Sequence, residues 1–207
     1  MIYKYGWHAL MIAAVGDLLI SFILSLFYRG YNSLTMSISA LGSPESPVRI
    51  PFNIWMLLEG VLFLLSLPAL HRRFADISRT AAGLMLVFIA VFAVGACILT
   101  CFFSVNSSKE VVTTASRIHG IGSAVGLMLM LFVPLILAIL SFRGGDSATG
   151  VIGIISFAAA LITFTLFVMS DKPHFAETPI SYEGLWQRLS LVFMYLPLVI
   201  TAIKNIK

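Results

Sequence analysis

Charge is what this sequence has least of. Its 207 residues include 13 Lys and Arg and 9 Asp and Glu, 11% charged in all, against roughly 25% in soluble domains. With 59% hydrophobic residues and a mean hydropathy of +1.01, the shortage excludes an ordinary water-facing domain. Long uncharged runs of this kind belong in a bilayer. Cysteine is nearly absent too. Cys97 and Cys101 lie inside one apolar run at i, i+4, a spacing poor for a disulfide within a helix, so reduced and buried thiols are expected. The formal net charge of +4 does not mark a nucleic-acid partner, because the basic residues sit at the ends of apolar runs, where they set topology. No phosphate-binding glycine loop, Gly-x-Ser-x-Gly elbow or voltage-sensor arginine ladder occurs. No linker or repeat marks a second domain. The first apolar run is too long for a cleavable signal peptide, carries Asp17 in its middle and lacks an A-x-A site.

What is present is six runs long enough to cross a bilayer, near residues 6–28, 52–70, 80–103, 119–142, 148–169 and 185–204. The expected fold is all-α, an integral membrane bundle of six transmembrane helices forming a single domain over residues 1–207. Six spans put both termini on one side. Lys and Arg divide seven to six between the sides, with Lys207 among the seven and Lys109 among the six. The seven include dense clusters in short loops, HRRF and FRGGD, and the positive-inside rule operates on short loops. Both termini are therefore expected in the cytoplasm of a cell-membrane protein, with the loops around 29–51, 104–118 and 170–184 facing out.

The one long polar stretch runs from Tyr31 to Asn53, with the hydroxyls Ser33, Thr35, Ser37 and Ser39 and a Leu41-Gly42-Ser43-Pro44 turn. It exceeds what two adjacent helices need and is expected to fold over or into the mouth of the bundle. Asp17 lies halfway through span one. An ionisable group there costs at least ~2.5–3.5 kcal/mol, so it should face the interior. Ser21 and Ser25 continue its face. The plainer reading of this stripe is polar glue to a neighbouring helix, the alternative a proton or ligand path. Glu59 is a second buried carboxylate, in span two, and Arg188 near the start of span six is placed to pair with it if the helices are neighbours. Small residues Ala93, Gly95, Ala96 and Cys97 in span three, and Gly122 and Gly126 in span four, suit close helix approach. Pro134 is expected to kink span four. Ser156, Thr163 and Ser170 form a narrow seam along span five. Trp7, Trp55 and Trp186 fall at expected interfaces and read as an anchoring belt.

Two constellations invite a catalytic reading. His119, Asp171 and His174, with Glu183, sit near one membrane boundary and supply the residue types of an open zinc site, although their spacing matches no metal signature. Ser37 or Ser39 with His119 and an acid has the composition of a triad, although loop serines more often form hydrogen-bonded turns. No cofactor is expected beyond that zinc possibility.

Several motifs resemble a known family: Tyr31-Asn32, then Ser37-Ile38-Ser39-Ala40-Leu41-Gly42, Pro51-Phe52-Asn53, Arg117-Ile118-His119 at a helix start, and Gly184-Leu185-Trp186-Gln187-Arg188-Leu189 opening the last span. Together they resemble the domain of unknown function 998 family, six-helix membrane proteins of bacteria and archaea. The Ser-rich LG-to-FN segment more distantly resembles the first outer loop of Frag1/DRAM/Sfk1 membrane proteins, some of which are linked to lipid remodelling. The resemblance implies no activity; it directs attention to Ser39, Gly42, Asn53, His119 and Arg188. The leading expectation is a protein that binds or senses a lipid head group or small amphiphile, with membrane lipids as partners. Its outward-facing polar pocket is expected to be lined by Ser37, Ser39, Asn53, Glu59, His119, Asp171, His174, Gln187 and Arg188. A membrane-embedded lipid hydrolase is the alternative. A small transporter with Asp17 and Glu59 as proton carriers comes third.

Overall fold

Peptide groups inside hydrocarbon must satisfy one another, which leaves helices or closed barrels, and here the chain forms helices. The structure is a computed structural model. It describes residues 2–106 and 112–206, with side chains from Lys4 onwards; Lys109 and Lys207, both used in weighing topology, lie outside the described residues. Among the described residues there is no strand. The helices are α1 (Ile2–Ser25), α2 (Arg49–Phe74), α3 (Arg79–Phe92), α4 (Leu99–Phe102), α5 (Thr114–Met130), α6 (Val133–Arg143), α7 (Ser147–Ser170) and α8 (Glu183–Asn205). A π-helical turn, Ala93–Ile98, joins α3 to α4, and a short 3-10 turn, Ile38–Gly42, lies between α1 and α2.

Six stretches among the described residues are long and apolar enough to cross a membrane: Lys4–Ser25, Arg49–Phe74, Arg79–Phe102, Thr114–Arg143, Ser147–Ser170 and Glu183–Asn205. The second runs from Arg49 to Phe74 rather than 52 to 70, and the fourth starts at Thr114 rather than 119. Both extensions are polar ends that hydropathy alone does not reach. Helix starts are set by local chemistry. The Ser78 side chain accepts from Ala81 N–H, Thr113 and Ser116 form a capping box, and Asp146 accepts from Thr149 N–H. Gly145, with φ of +80°, supplies the left-handed turn between α6 and α7 that a side chain would strain.

Sequential neighbours pack around a ring: α1 on α2, α2 on α3 and the π-helical turn, these on α5, α6 on α7, and α7 on α8. Contact between α1 and α8 closes the ring. Spans three and four touch backbone to backbone. A Cβ added at Gly95 or at Gly122 would sit 2.6 Å from the other residue's carbonyl oxygen, and Gly126 packs on Ala96. The small residues thus do make the close approach expected of them, but through a π-helical turn that their spacing does not signal. The Thr100 hydroxyl, 2.6 Å from the Ala96 carbonyl and 2.8 Å from that of Cys97, covers oxygens at this irregularity. Both cysteines are free thiols, Cys97 fully buried.

The tryptophan belt needs correction. Trp7 and Trp55 are buried in the bundle, Trp55 lying against Gly16 of α1, where a Cβ would collide with its ring. A small residue opposite makes an indole-sized slot, and filling it outweighs the interfacial preference. Only Trp186 keeps a polar contact near a helix end, donating from Nε1 to the Pro179 and Ile180 carbonyls.

At the end of the bundle where α1 begins and α8 ends, Lys204 Nζ lies 2.8 Å from Asp146 Oδ2 and 2.7 Å from Thr149 Oγ1. The Lys204 ammonium first, then the Thr149 hydroxyl and amide, hold the Asp146 carboxyl down from its ordinary 3.8 to about 2. A value lowered by folding means stability that is present above the ordinary carboxylate range and lost as pH falls through about 2. Asp146→Ala removes a helix cap and an exposed ion pair, and is expected to cost about 1 kcal/mol near neutral pH. Thermal unfolding in mild detergent should show the difference narrowing steadily as the pH drops from 4 toward about 2.

Candidate functional site

The segment between α1 and α2 folds into the mouth of the bundle. Ile38, Leu41, Gly42, Ser43, Ser46 and Val48 are all buried. What fixes it is the first two turns of α8. Arg188 Nη1 donates to the Ser33, Met36 and Gly184 carbonyls at 2.7, 3.2 and 3.0 Å, and Nη2 donates to the Tyr31 hydroxyl at 2.6 Å. The Tyr31 hydroxyl in turn donates toward the Met36 and Ser37 carbonyls. Burial pushes that phenol above its ordinary range, against the pull of the Arg188 charge, which keeps it a donor. Gln187 Oε1 accepts from Ile38 N–H at 2.7 Å, and Leu185 N–H donates to the Leu34 carbonyl at 2.9 Å. Residue 184 has to be glycine, because a Cβ there would collide with the Ser33 and Met36 carbonyl oxygens.

Beneath this plug is a cavity of about 530 Å³, within the range of small-molecule sites. Ser37, Ser39, His119, Glu183 and Gln187 line it near the loop-bearing end; Phe52, Met56, Phe92, Leu127 and Leu191 form apolar walls; Asp17 and Glu59 line its deep part. Its lining is therefore mostly apolar with polar groups at the two ends, not the polar pocket expected. The aromatic rings of Phe63, Phe92 and Tyr195 close it below, with centroids 5.4–6.1 Å apart. The cavity also reaches the side of the bundle. Ala124 and Met128 of α5 and Phe164, Phe167 and Val168 of α7 line it, and α5 and α7 make no extensive contact with one another. Met128 and Val168 are 55% and 51% exposed, so the cleft between these helices faces what hydrocarbon would surround.

The two intramembrane carboxyls are both buried, Asp17 at 4% exposure and Glu59 at 0%. Tyr195 donates its hydroxyl hydrogen to Asp17 Oδ2 at 2.8 Å. Neither carboxyl oxygen of Glu59 has a hydrogen-bond partner among the described residues. Cys97 and Tyr195 flank it, but the one Tyr195 hydroxyl hydrogen is engaged by Asp17, and a thiol is a weak donor. Ser21 and Ser25 are buried on the Asp17 face, as their spacing requires; each donates to its own helix, and the Ser33 hydroxyl reaches Ser25 Oγ at 3.3 Å.

Of the nine residues expected to line one pocket, Ser37, Ser39, Glu59, His119 and Gln187 do so, and Asn53, Asp171, His174 and Arg188 do not. Asn53 lies against Gly42 and braces the turn. Asp171 ends α7 on the surface, and His174 is exposed with its ring edge-on to Phe175. Arg188 does not pair with Glu59: it is turned to the loop carbonyls. His119 Nδ1 lies 2.8 Å from the Phe103 carbonyl oxygen, which makes that nitrogen a donor engaged with the backbone. The Ser37 and Ser39 hydroxyls meet at 3.2 Å. No cluster of three His, Cys, Asp or Glu able to hold a metal occurs among the described residues. Tyr31, Thr100 and Tyr195 are functional neighbours that sequence reasoning missed. Tyr195 had a signal: a phenol in mid-span is the natural partner for a carboxyl such as Asp17.

The chain belongs to the family of proteins of unknown function DUF998, whose model matches residues 11–204. No curated protein and no solved structure matches it.

The hold of Arg188 on the plug is directly testable. Arg188→Ala removes charge-assisted bonds to part-buried carbonyls and is expected to destabilise the protein by about 2–4 kcal/mol. Arg188→Lys should recover only part of this, since an ammonium does not reproduce the planar fork. Hydrogen exchange should accelerate at residues 33–38 in both variants, while the amides of α6 keep wild-type protection.

Proposed function

We propose that this protein is a cell-membrane binding or sensing protein for an amphiphile, which enters its cavity from the bilayer between spans four and five. The observation that carries this reading is the cleft lined by Ala124, Met128, Phe164, Phe167 and Val168, which joins an apolar-walled cavity to the lipid-facing surface. A site entered only from water has no need of an opening between two spans. The volume of about 530 Å³ suits one chain or a small amphiphile rather than a whole two-chain lipid. The plug is rigidly held by Arg188 and Tyr31, which favours a lateral route over one through the mouth.

Hydrolysis of a lipid is the weaker reading. It needs a serine hydroxyl joined to a histidine, whereas Ser37 and Ser39 are directed at one another and His119 at Phe103. Transport through Asp17 and Glu59 would need a way past the Phe63, Phe92 and Tyr195 rings. The termini are assigned to the cytoplasm on the basic residues of the short loops, Arg72, Arg73 and Arg143, so the plug faces outward.

Two experiments test this. Lipid extracts of protein purified in gentle detergent should contain a species enriched over the surrounding membrane, and Ala124→Trp, which fills the cleft from an exposed position, should deplete it. Identical extracts from the two proteins would defeat the reading. For orientation, a reporter that is active only in the cytoplasm is expected to be active when fused after Lys207 and silent when inserted at Glu45.

A further inference from the structure

The deep end of the cavity has a chemical bias that an amphiphile site does not by itself require. Among the described residues, three carboxyl side chains line the cavity, Asp17, Glu59 and Glu183, and neither Lys nor Arg does. The nearest guanidinium, Arg188, is engaged by three carbonyls and the Tyr31 hydroxyl. Among the described residues, no cationic side chain along the lining is placed to receive a phosphate or a carboxylate. Glu59 is the sharper observation. Its carboxyl is completely buried, about 15 Å along α2 from Arg49 by helix rise, and neither oxygen has a partner among the described residues. Buried polar groups are almost always satisfied, and an exception calls for an explanation such as a missing ligand. Asp17, satisfied on one oxygen by Tyr195, lines the same deep region.

We propose that the cavity binds a single-chain amphiphile bearing a protonated amine, the ammonium seated between Glu59 and Asp17. This rests on the amphiphile reading given above and names the class of ligand. An ammonium offers three donors and one positive charge, matching the unpartnered oxygens of Glu59. The alkyl chain then runs along Phe92, Leu127 and Leu191 and leaves through the cleft beside Met128 and Val168 into the bilayer. Burying a charge is tolerable only when it is paired, so the arrangement selects for the cation and against anions of equal length. A neutral alcohol would satisfy Glu59 with one hydrogen bond but would forgo the ion pair.

The test uses three probes of equal chain length, dodecylamine, dodecanol and dodecanoate. Their saturable binding to the full-length protein in phosphatidylcholine nanodiscs is measured by native mass spectrometry. The amine is expected to bind tightest and dodecanoate weakest. Glu59→Gln, which keeps the shape, should weaken the amine by roughly 30-fold or more and leave dodecanol nearly unchanged. Ala124→Trp should weaken the amine and dodecanol together. Wild-type protein that binds dodecanol or dodecanoate as well as the amine would overturn the amine assignment while leaving the amphiphile site standing. So would a Glu59→Gln protein with unchanged amine affinity. Failure of all three probes to bind would remove the amphiphile reading and this inference with it. The wild-type ranking decides the question even if Glu59→Gln does not fold.

Discussion

One guanidinium organises the loop-bearing end of this protein. Arg188 emerges from the second turn of α8, where water is already scarce, and needs acceptors for its donors. It finds them in main-chain carbonyls of the incoming segment instead of in an acid. That choice has consequences on both sides of it. Above, the carbonyls of Ser33 and Met36 are drawn onto the helix so closely that residue 184 can carry no side chain. The 3-10 turn with Ile38 and Leu41 is thereby seated in the bundle, and the Ser37 and Ser39 hydroxyls arrive at the rim of the cavity. Below, Glu59 is left without the cation that would have neutralised it. A structural ion pair between the two would have filled the cavity's deep end with protein. Their separation is what leaves the deep end of the cavity open.

The interior is also shaped by where backbones come into contact. Gly95 and Gly122 let spans three and four touch directly, and the π-helical turn at Ala93–Ile98 is what brings the carbonyl of Ala93 and the side chain of Cys97 against Gly60, next to Glu59. A regular helix through this stretch would rotate the residues beyond it by a fraction of a turn. Thr100, whose hydroxyl covers the carbonyls of Ala96 and Cys97, would then no longer line the cavity where it does. Irregular backbone at membrane depth is acceptable only when it is enclosed by protein, and the packing of α2 and α5 on this turn encloses it.

How far the sequence could be read follows from which forces are local. The six spans, the burial of Asp17, Ser21 and Ser25, and the close approach at the glycines all follow from hydropathy and helical periodicity, and each is found. The long polar segment could be recognised as a plug because its length and turn residues had no other use. Arg188 could be recognised as important, but not its partners. A carboxylate and a set of carbonyls are equally good acceptors on paper, and only the path of residues 31–38 decides between them. Asp171 and His174 looked like site residues because they are polar and near a span end, yet the turn after α7 carries them onto the surface. Trp7 and Trp55 looked interfacial because position along a helix is legible and the facing helix is not. The slot for Trp55 is Gly16, on another span. The ring order and the cleft depend on pairings of spans, which one sequence does not contain.

The cleft itself traces to a single feature that was legible, the proline in span four. Pro134 has no N–H to continue the helical ladder, and α5 gives way at Leu131 and Phe132 to α6. After the break, α6 lies along α7, with Gly153 of α7 against Ala138 and the Pro134 carbonyl. Before it, α5 is held by the glycine contacts to the π-helical turn and makes no extensive contact with α7. A straight helix from Thr114 to Arg143 could satisfy one of these partners along its whole length but not both. The break allows α5 to remain with span three while α6 joins span five, and the gap that opens between α5 and α7 is the necessary result. The closed half of the bundle and the open half are thus two sides of one compromise, and the cavity lies on the open side.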